Sequence, residues 1–377
     1  MTLLTTSHEV KNLCNKLQNE TFICIDTEFI REKYYYPKLC LIQIGDSKGN
    51  GWAIDPLSKK INLDPLYNLL INEKILKVLH SPRQDFEIIF NILKKIPKPI
   101  FDTQSAAMTC GYGDSASYEL LVNKIVNVKI DKSARFTNWE NRPLNEKQIK
   151  YAISDVTHLS KIYLFLKDYM EKNNRTKWIQ EELEKFNNLS LYQTESQNAW
   201  KRIKFYSPDI KTMSIFREIS AIREEIAKKN NLPRNKIFRD DIIIKLAKNP
   251  PNNIKDFENM RGVNLKNIDN SYLKLIIESI KIGKNNQNSD WLKRKNTNSP
   301  SKAIKDILKI ILLSSAEKHN ISPLLIANKE DINQIALGFK NVKALKGWRY
   351  EIFGSIALKL MQGDISIKIK DGTIIID

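Results

Sequence analysis

Along the first 170 positions, apolar residues switch repeatedly between a strand period and a helix period. FICIDTEFI, KLCLIQIGD and GWAIDPL are short β-branched runs bounded by turn residues, as strands are. LDPLYNLLINE has helical spacing, and ILKVLH after it reads as another strand. The segment SPRQDFEIIFNIL predicts a helix that Ser81 caps, with Pro82 in the first helical position and Gln84 closing an S-x-x-Q box. PIFDTQSAAMTCGYG opens a further segment, and NEKQIKYAISDVTHLSKIYLFLKDYMEKN reads as one long amphipathic helix. Strands first, then strand–helix alternation, predict an α/β layer built on a mixed sheet.

From about residue 205 the strand pattern stops. MSIFREISAIREEIAKKNN, DDIIIKLAKN and NSYLKLIIESIKIGKN are spaced as amphipathic helices, and IKDILKIILLSSAEKHN resumes the pattern after a polar stretch. Two parts of this region echo each other. KKNNLPRNKIFRDDIIIKL and EKHNISPLLIANKEDINQI each end a helix, pass a proline, and start a new helix with an acid eight residues later. The matched positions are Pro233 with Asp241 and Pro323 with Asp331, followed by Arg261-Gly262 and Lys346-Gly347. Two similar helical modules are therefore expected.

At 377 residues the chain has room for two or three cores, and 42% hydrophobic with 28% charged residues is the balance of a folded protein. No apolar run approaches the roughly 20 residues a membrane span needs, and the N-terminus lacks a signal-peptide pattern. Cys14, Cys24, Cys40 and Cys110 form no C-x-x-C pair, which argues against a zinc ribbon or a disulfide framework. An intracellular, cytoplasmic protein is expected. Charge changes the picture more. Residues 1–200 hold 27 Lys+Arg against 24 Asp+Glu, net +3, whereas residues 201–377 hold 34 against 19, net +15. A near-neutral half is joined to a strongly basic one, which points to a polyanionic partner.

Within the near-neutral half, Asp26 and Glu28 sit two apart in an apolar strand and so share one face. For a lone D-x-E, two solvated acids at a strand end is the simpler account. Asp85 falls in the first turn of a helix that directly follows a strand, and Tyr151 and Asp155 are four apart on one helix face. Sites in α/β sheets gather where strand ends meet helix starts. Four carboxylates brought together there need cations, and Mg²⁺ or Mn²⁺ suits an all-oxygen shell. Two such ions can activate a water and stabilise the leaving oxygen of a phosphodiester. Tyr151 would aim the water, because a phenol with a pKa near 10 is a poor base at neutral pH.

IDTEFIREKYYYPKLCLIQIG, LHSPRQDFEII and YAISDV resemble the three exonuclease motifs of the ribonuclease D group, within the superfamily of four-acid 3′→5′ exonucleases. DKSARFTNWENRPLNEKQIKYA is similar to that group's K-S…W-x-x-RPL signature through Lys132, Trp139, Arg142, Pro143 and Leu144. REEIAKKNNLPRNKIFRDDIIIKLAKNPP and LKGWRYEIFG look like paired helicase-and-ribonuclease-D C-terminal (HRDC) modules. The resemblance implies a ribonuclease-H-like exonuclease domain over 1–170, a connecting segment over 171–206, HRDC-like helical domains over 207–286 and 300–377, and a linker over 287–299. It implies Asp26, Glu28, Asp85 and Asp155 as ligands of two divalent cations, Mg²⁺ or Mn²⁺, with Tyr151 in the place where relatives carry His.

The expected activity is removal of nucleotides from RNA 3′ ends with release of nucleoside 5′-monophosphates. The expected partner is RNA, by resemblance tRNA precursors with 3′ extensions, with no membrane and no obligate protein partner. A DNA-directed 3′→5′ exonuclease and a non-catalytic nucleic-acid binder are the competing readings. His158, three residues beyond Asp155, is expected to be structural. His80, at the end of the strand before Asp85, is expected to be structural like His158, and its nearness to the acids keeps it as a weak substrate-side candidate. Phe29 should point away from Glu28 into the core unless the strand ends or bulges there, so it too is a weak substrate candidate. Arg31, Lys33 and Tyr34 to Tyr36 mix cations with aromatics, as a single-strand binding surface or an ordinary solvated loop would.

Overall fold

The computed structural model describes residues 2–258, 260, 270–286 and 300–377. The elements of the first half are β1 (Thr2–Leu4), α1 (Ser7–Leu17), β2 (Phe22–Ile30), β3 (Lys38–Gly45), β4 (Gly51–Ile54), α2 (Asp64–Ile71), β5 (Leu76–Leu79), α3 (Arg83–Leu93), β6 (Ile100–Asp102), α4 (Thr103–Thr109), α5 (Tyr118–Leu121), α6 (Glu146–Thr157), α7 (Leu159–Lys172) and α8 (Thr176–Leu183). The six strands form one mixed sheet in the order β1-β4-β3-β2-β5-β6. β2 pairs antiparallel with β3 and parallel with β5.

β2 lies inside the sheet and is apolar on both faces, which is why its sequence reads as a nearly continuous hydrophobic run. Ile23 and Ile25 pack with α1, α2 and α3 on one side. Phe22 and Cys24 pack with α4 and α7 on the other, where Val156 of α6 joins them. Asp26 and Glu28 continue the second row, so the alternation carries both acids towards α6. α6 lies close against the sheet because Gly45 and Gly51 make room for it. A Cβ on Gly45 would come within 2.9 Å of the Val156 carbonyl oxygen, and one on Gly51 within 2.8 Å of Thr157 Cγ2.

Three expectations need correction. Ser81 does not cap α3. Its φ is +58°, its amide donates to Asp102 Oδ1 at 2.8 Å, and the helix starts after Pro82 with no side-chain cap. Asp102 therefore holds the turn that brings Asp85 to the end of β5. The long helix is also two helices, α6 and α7, meeting at His158. At the junction the Tyr118 hydroxyl donates to the Ser154 carbonyl at 2.9 Å, the acceptor that an unbroken helix would give to the His158 amide.

The third correction is a strand pair in the second half, which is otherwise helical as expected. Its elements are α9 (Ile210–Asn230), α10 (Arg234–Ile237), α11 (Asp240–Lys248), α12 (Ile254–Glu258), α13 (Asn270–Asn285), α14 (Lys302–His319), α15 (Pro323–Ile326), α16 (Lys329–Ala336), α17 (Gly347–Arg349), α18 (Ser355–Gln362), and a hairpin of β7 (Ile367–Lys370) with β8 (Thr373–Ile376). The hairpin turns at Asp371-Gly372, both with positive φ, as a tight two-residue turn requires. The two echoing stretches fold alike. Each long helix, α9 or α14, ends on a left-handed asparagine, Asn231 (φ 50°) or Asn320 (φ 46°). A one-turn helix and then an acid-led helix follow in both. Arg261-Gly262 and the linker 287–299 lie outside the described residues.

Each helical cluster is fastened to the sheet domain in its own way. Tyr35 packs into the first cluster, its hydroxyl bonds Glu224, and Arg234 pairs with Glu224 at 2.8 Å. The second cluster stacks Trp348 on Trp178, ring centroids 4.5 Å apart, and buries Arg349 in an ion pair with Glu182. All four cysteines are buried and free. Among the described residues no helix is long and apolar enough to cross a membrane.

Candidate active site

The C-terminal half of β2, the first turn of α3 and the middle of α6 meet at a cavity of about 470 Å³. Asp26, Glu28, Asp85, Tyr151 and Asp155 all line it, together with the two weaker candidates Phe29 and His80. Carboxylate oxygens of Asp26, Glu28 and Asp155 lie within 4.8 Å of one another. Asp85 reaches the cavity from the opposite layer of the sheet. It is held there by Thr27, whose side chain points to that layer and donates to Asp85 Oδ1. α6 is fixed at its start by a reciprocal cap. Gln148 N donates to Asn145 Oδ1 at 2.9 Å, and Asn145 N donates to Gln148 Oε1 at 3.0 Å. Tyr151 and Asp155 follow from that start on one face.

The electrostatics match a self-repelling cluster. Burial and the charges of Asp155 and Asp85 push the Glu28 carboxyl up to about 9. Asp26 is driven well above the carboxylate range by burial, then by Asp155, Asp85 and Glu28. Burial also raises Asp85 and Asp155, opposed by hydrogen bonds from Thr27 and Tyr151 respectively. Arg135 and Lys132 pull Asp155 down, yet among the described residues none of the four acids has an ion-pair partner. A hard divalent cation would supply the missing charge, and an all-carboxylate oxygen set fits it. Tyr151 is held far above the usual phenol range by burial and by the Asp155 and Glu28 charges, so it stays protonated.

Phe29 lines the cavity without turning to the face of Glu28. Between Glu28 and Phe29 the β2–β3 register slips by one, because β3 carries Cys40 as an extra residue. The extra residue is on β3, so β2 keeps its alternation: Phe29 stays in the row of Thr27 and Arg31 that faces α3, and lines the cavity from that side, as Asp85 does. His80 Nδ1 lies 3.0 Å from Thr103 Oγ1, and burial lowers its pKa, leaving a neutral ring in the wall. His158 is not among the lining residues.

The segment with Tyr34 to Tyr36 is not a free loop. Lys38 and Tyr34 bond Glu140 at 2.6 and 3.1 Å, and the Tyr36 amide bonds Asn231 Oδ1 at 2.9 Å. Sequence reading missed Tyr118 and Arg135, which also line the cavity. Tyr118 stands on a one-turn helix and Arg135 on an irregular loop, with no periodicity to mark either.

A family model described as 3′-5′ exonuclease matches residues 1–171, and one described as the HRDC domain matches residues 213–280. A ribonuclease D of Bartonella henselae is 38% identical over 99% of this chain and 93% of its own length. One from Jannaschia sp. (strain CCS1) is 36% identical over 97% of each. The chain belongs to the ribonuclease D family. The crystal structure of Escherichia coli RNase D, described as an exoribonuclease involved in structured RNA processing, superposes with a TM-score of 0.81 at 26% identity, covering 96% of this chain and 98% of that one. Ribonuclease D membership makes the chain a 3′→5′ exoribonuclease, a metal-dependent hydrolase of RNA.

The ribonuclease D signature has a visible structural task here. Arg142 binds both Asp55 oxygens at 2.7 Å and donates to the Trp139 and Cys40 carbonyls at 2.7 Å. Trp139 is buried and its ring lies 6.2 Å from that of Tyr151. The loop that carries Lys132 and Arg135 is thereby pinned over the acids.

Proposed function

We propose that this chain trims structured RNA from the 3′ end, one nucleoside 5′-monophosphate at a time, with tRNA precursors as its main substrate in the cytoplasm. The observation that carries this reading is the convergence of Asp26, Glu28, Asp85 and Asp155 around one cavity, all four raised by burial and Asp26 and Glu28 also by repulsion. These four would hold two divalent cations, Mg²⁺ or Mn²⁺. Bound there, such ions would lower the pKa of a water and offset charge on the leaving oxygen. Tyr151, protonated and beside Asp155, orients that water for attack on phosphorus. As the new P–O bond forms, the bond to the 3′ oxygen of the preceding nucleotide breaks. The shortened strand keeps a 3′ hydroxyl and the released nucleotide keeps its 5′ phosphate.

Phe29 and His80 are read as walls for the terminal nucleotide. Residues 300–377 are read as a second HRDC-like module, supported by the helix order they share with the first. Timed digestion of a 3′-extended tRNA, resolved to one nucleotide, tests the reading. Stepwise shortening that stops on chelation is expected. Internal cuts, cleavage unaffected by chelator, or faster loss of matched DNA would overturn it.

A further inference from the structure

A second cavity, also about 470 Å³, lies on the far side of α3, where the sheet domain meets the segment 191–202 and the turn from α9 to α10 of the first helical module. Its walls carry six cations, Arg31, Arg83, Lys94, Arg202, Lys228 and Arg234, against two acids, Glu87 and Glu195. Three of the cations are already occupied. Arg31 pairs with Glu87 at 2.8 Å, Arg234 with Glu224 at 2.8 Å, and Lys228 Nζ bonds Ser196 Oγ at 3.2 Å. Arg83, Lys94 and Arg202 have no acidic partner among the described residues. Unpaired like charges gathered in one concave site raise its potential and favour a polyanion.

Two features say which polyanion. Arg83 and Lys94 lie eleven apart at the two ends of α3, on one helix face. Two charges spaced along a helix suit successive groups on an extended chain better than one compact anion. The cavity also adjoins the acid site. Arg31 in its wall lies over the ring of Phe29, 5.9 Å from guanidinium carbon to ring centroid, and Phe29 lines the acid cavity. A strand whose 3′ nucleotide occupies the acid cavity has this groove as a neighbouring exit. Tyr36, 38% exposed on the rim, offers a ring on which a base can stack.

We propose that this basic cleft is an RNA exosite, in which Arg83, Lys94 and Arg202 bind backbone phosphates upstream of the nucleotide being removed. The proposal rests on the exoribonuclease reading above and specifies where that enzyme grips its substrate. Contacts of this kind position the strand without reading its sequence.

The test uses the full chain carrying R83A, K94A and R202A, with single-stranded RNA of about a dozen nucleotides. Binding is followed in an Asp155→Ala background, where RNA is held without being cut. Loss of three phosphate contacts should flatten the plot of log affinity against log salt by about 2. In the otherwise unmodified chain, KM for that RNA should rise about tenfold or more, while cleavage of a dinucleotide too short to reach the cleft stays unchanged. A second triple variant, R83K, K94R and R202K, keeps the charges and should bind as the unmodified chain does, which separates lost charge from lost folding. An unchanged salt slope would overturn the exosite, as would a parallel loss on the dinucleotide. Equal loss of adenosine monophosphate binding would assign the cleft to free nucleotide and overturn it too. If RNA is bound with the expected slope but never trimmed, the exosite stands and the catalytic reading falls.

Discussion

Two cavities of equal volume flank α3, one lined by five carboxylates, of which only Glu119 has an ion-pair partner among the described residues, and the other by six cations, and they are built to different tolerances. The other four acids stand on short side chains rooted in β2, α3 and α6, and Asp85 is only 7% exposed. The unpaired cations stand on long side chains at the surface. Chemistry at phosphorus requires groups held within a fraction of an ångström, whereas a phosphate backbone is held by any well-placed positive charge. Substitutions in the acid cavity should therefore act steeply on turnover, and those in the basic cleft shallowly on affinity.

The steepest expected effect is that of Asp155→Ala. It should lower kcat by at least about 10³-fold while RNA binding stays close to that of the unmodified chain. Single-turnover cleavage and fluorescence anisotropy read the two quantities separately. A loss of binding as large as the loss of turnover would place Asp155 in substrate grip and erase the contrast.

Tyr151→Phe comes next, with an expected fall of roughly 10²-fold in kcat and little change in KM. The phenol is held protonated, so the variant loses an orienting donor, and the loss should not depend on pH across the neutral range. A loss that deepens with rising pH would instead make the tyrosine a base.

A smaller effect separates the cavities by pH. The folded-state pKa values of the acids lie above their unfolded values, so their contribution to stability is fully present at acidic pH. It is lost as pH rises through the folded values, up to about 9 for Glu28. Metal-free protein should therefore melt lower at pH 8 than at pH 5, by about 2–4 °C for each kcal/mol lost. Mg²⁺ or Mn²⁺ should restore the difference at pH 8, and Arg83→Ala should leave it unchanged. A melting temperature indifferent to both pH and cation would count against a cluster charged by mutual repulsion.

The acid cavity was legible in the sequence because its chemistry is written in local spacing. A two-residue step on a strand and a four-residue step on a helix place Asp26 with Glu28 and Tyr151 with Asp155. Asp85 needed only a strand followed by a helix. The basic cleft was not legible, because its cations come from a loop, a helix face and a connecting segment that meet only after folding. Arg31 and Tyr35 look like free surface in the sequence, yet one pairs with Glu87 and the other enters the first helical cluster. Ser81 misled because its composition fits a cap while its left-handed backbone turns the side chain away. The hairpin at Asp371-Gly372 went unseen because its alternating run is short and lies within an otherwise helical half.

The bulge at Cys40 makes the mouth of the acid cavity a joint property of two distant stretches of sequence. Its carbonyl is taken by Arg142, 102 positions further on. Deleting Cys40 would return β2 and β3 to unbroken pairing with every remaining side chain on its present face, while removing the acceptor of a guanidinium that also anchors the loop above the acids. Length at this point is thus under tighter constraint than composition. A sulfur can be exchanged here for another small group, but the residue count cannot change without altering what a nucleotide meets at the entrance.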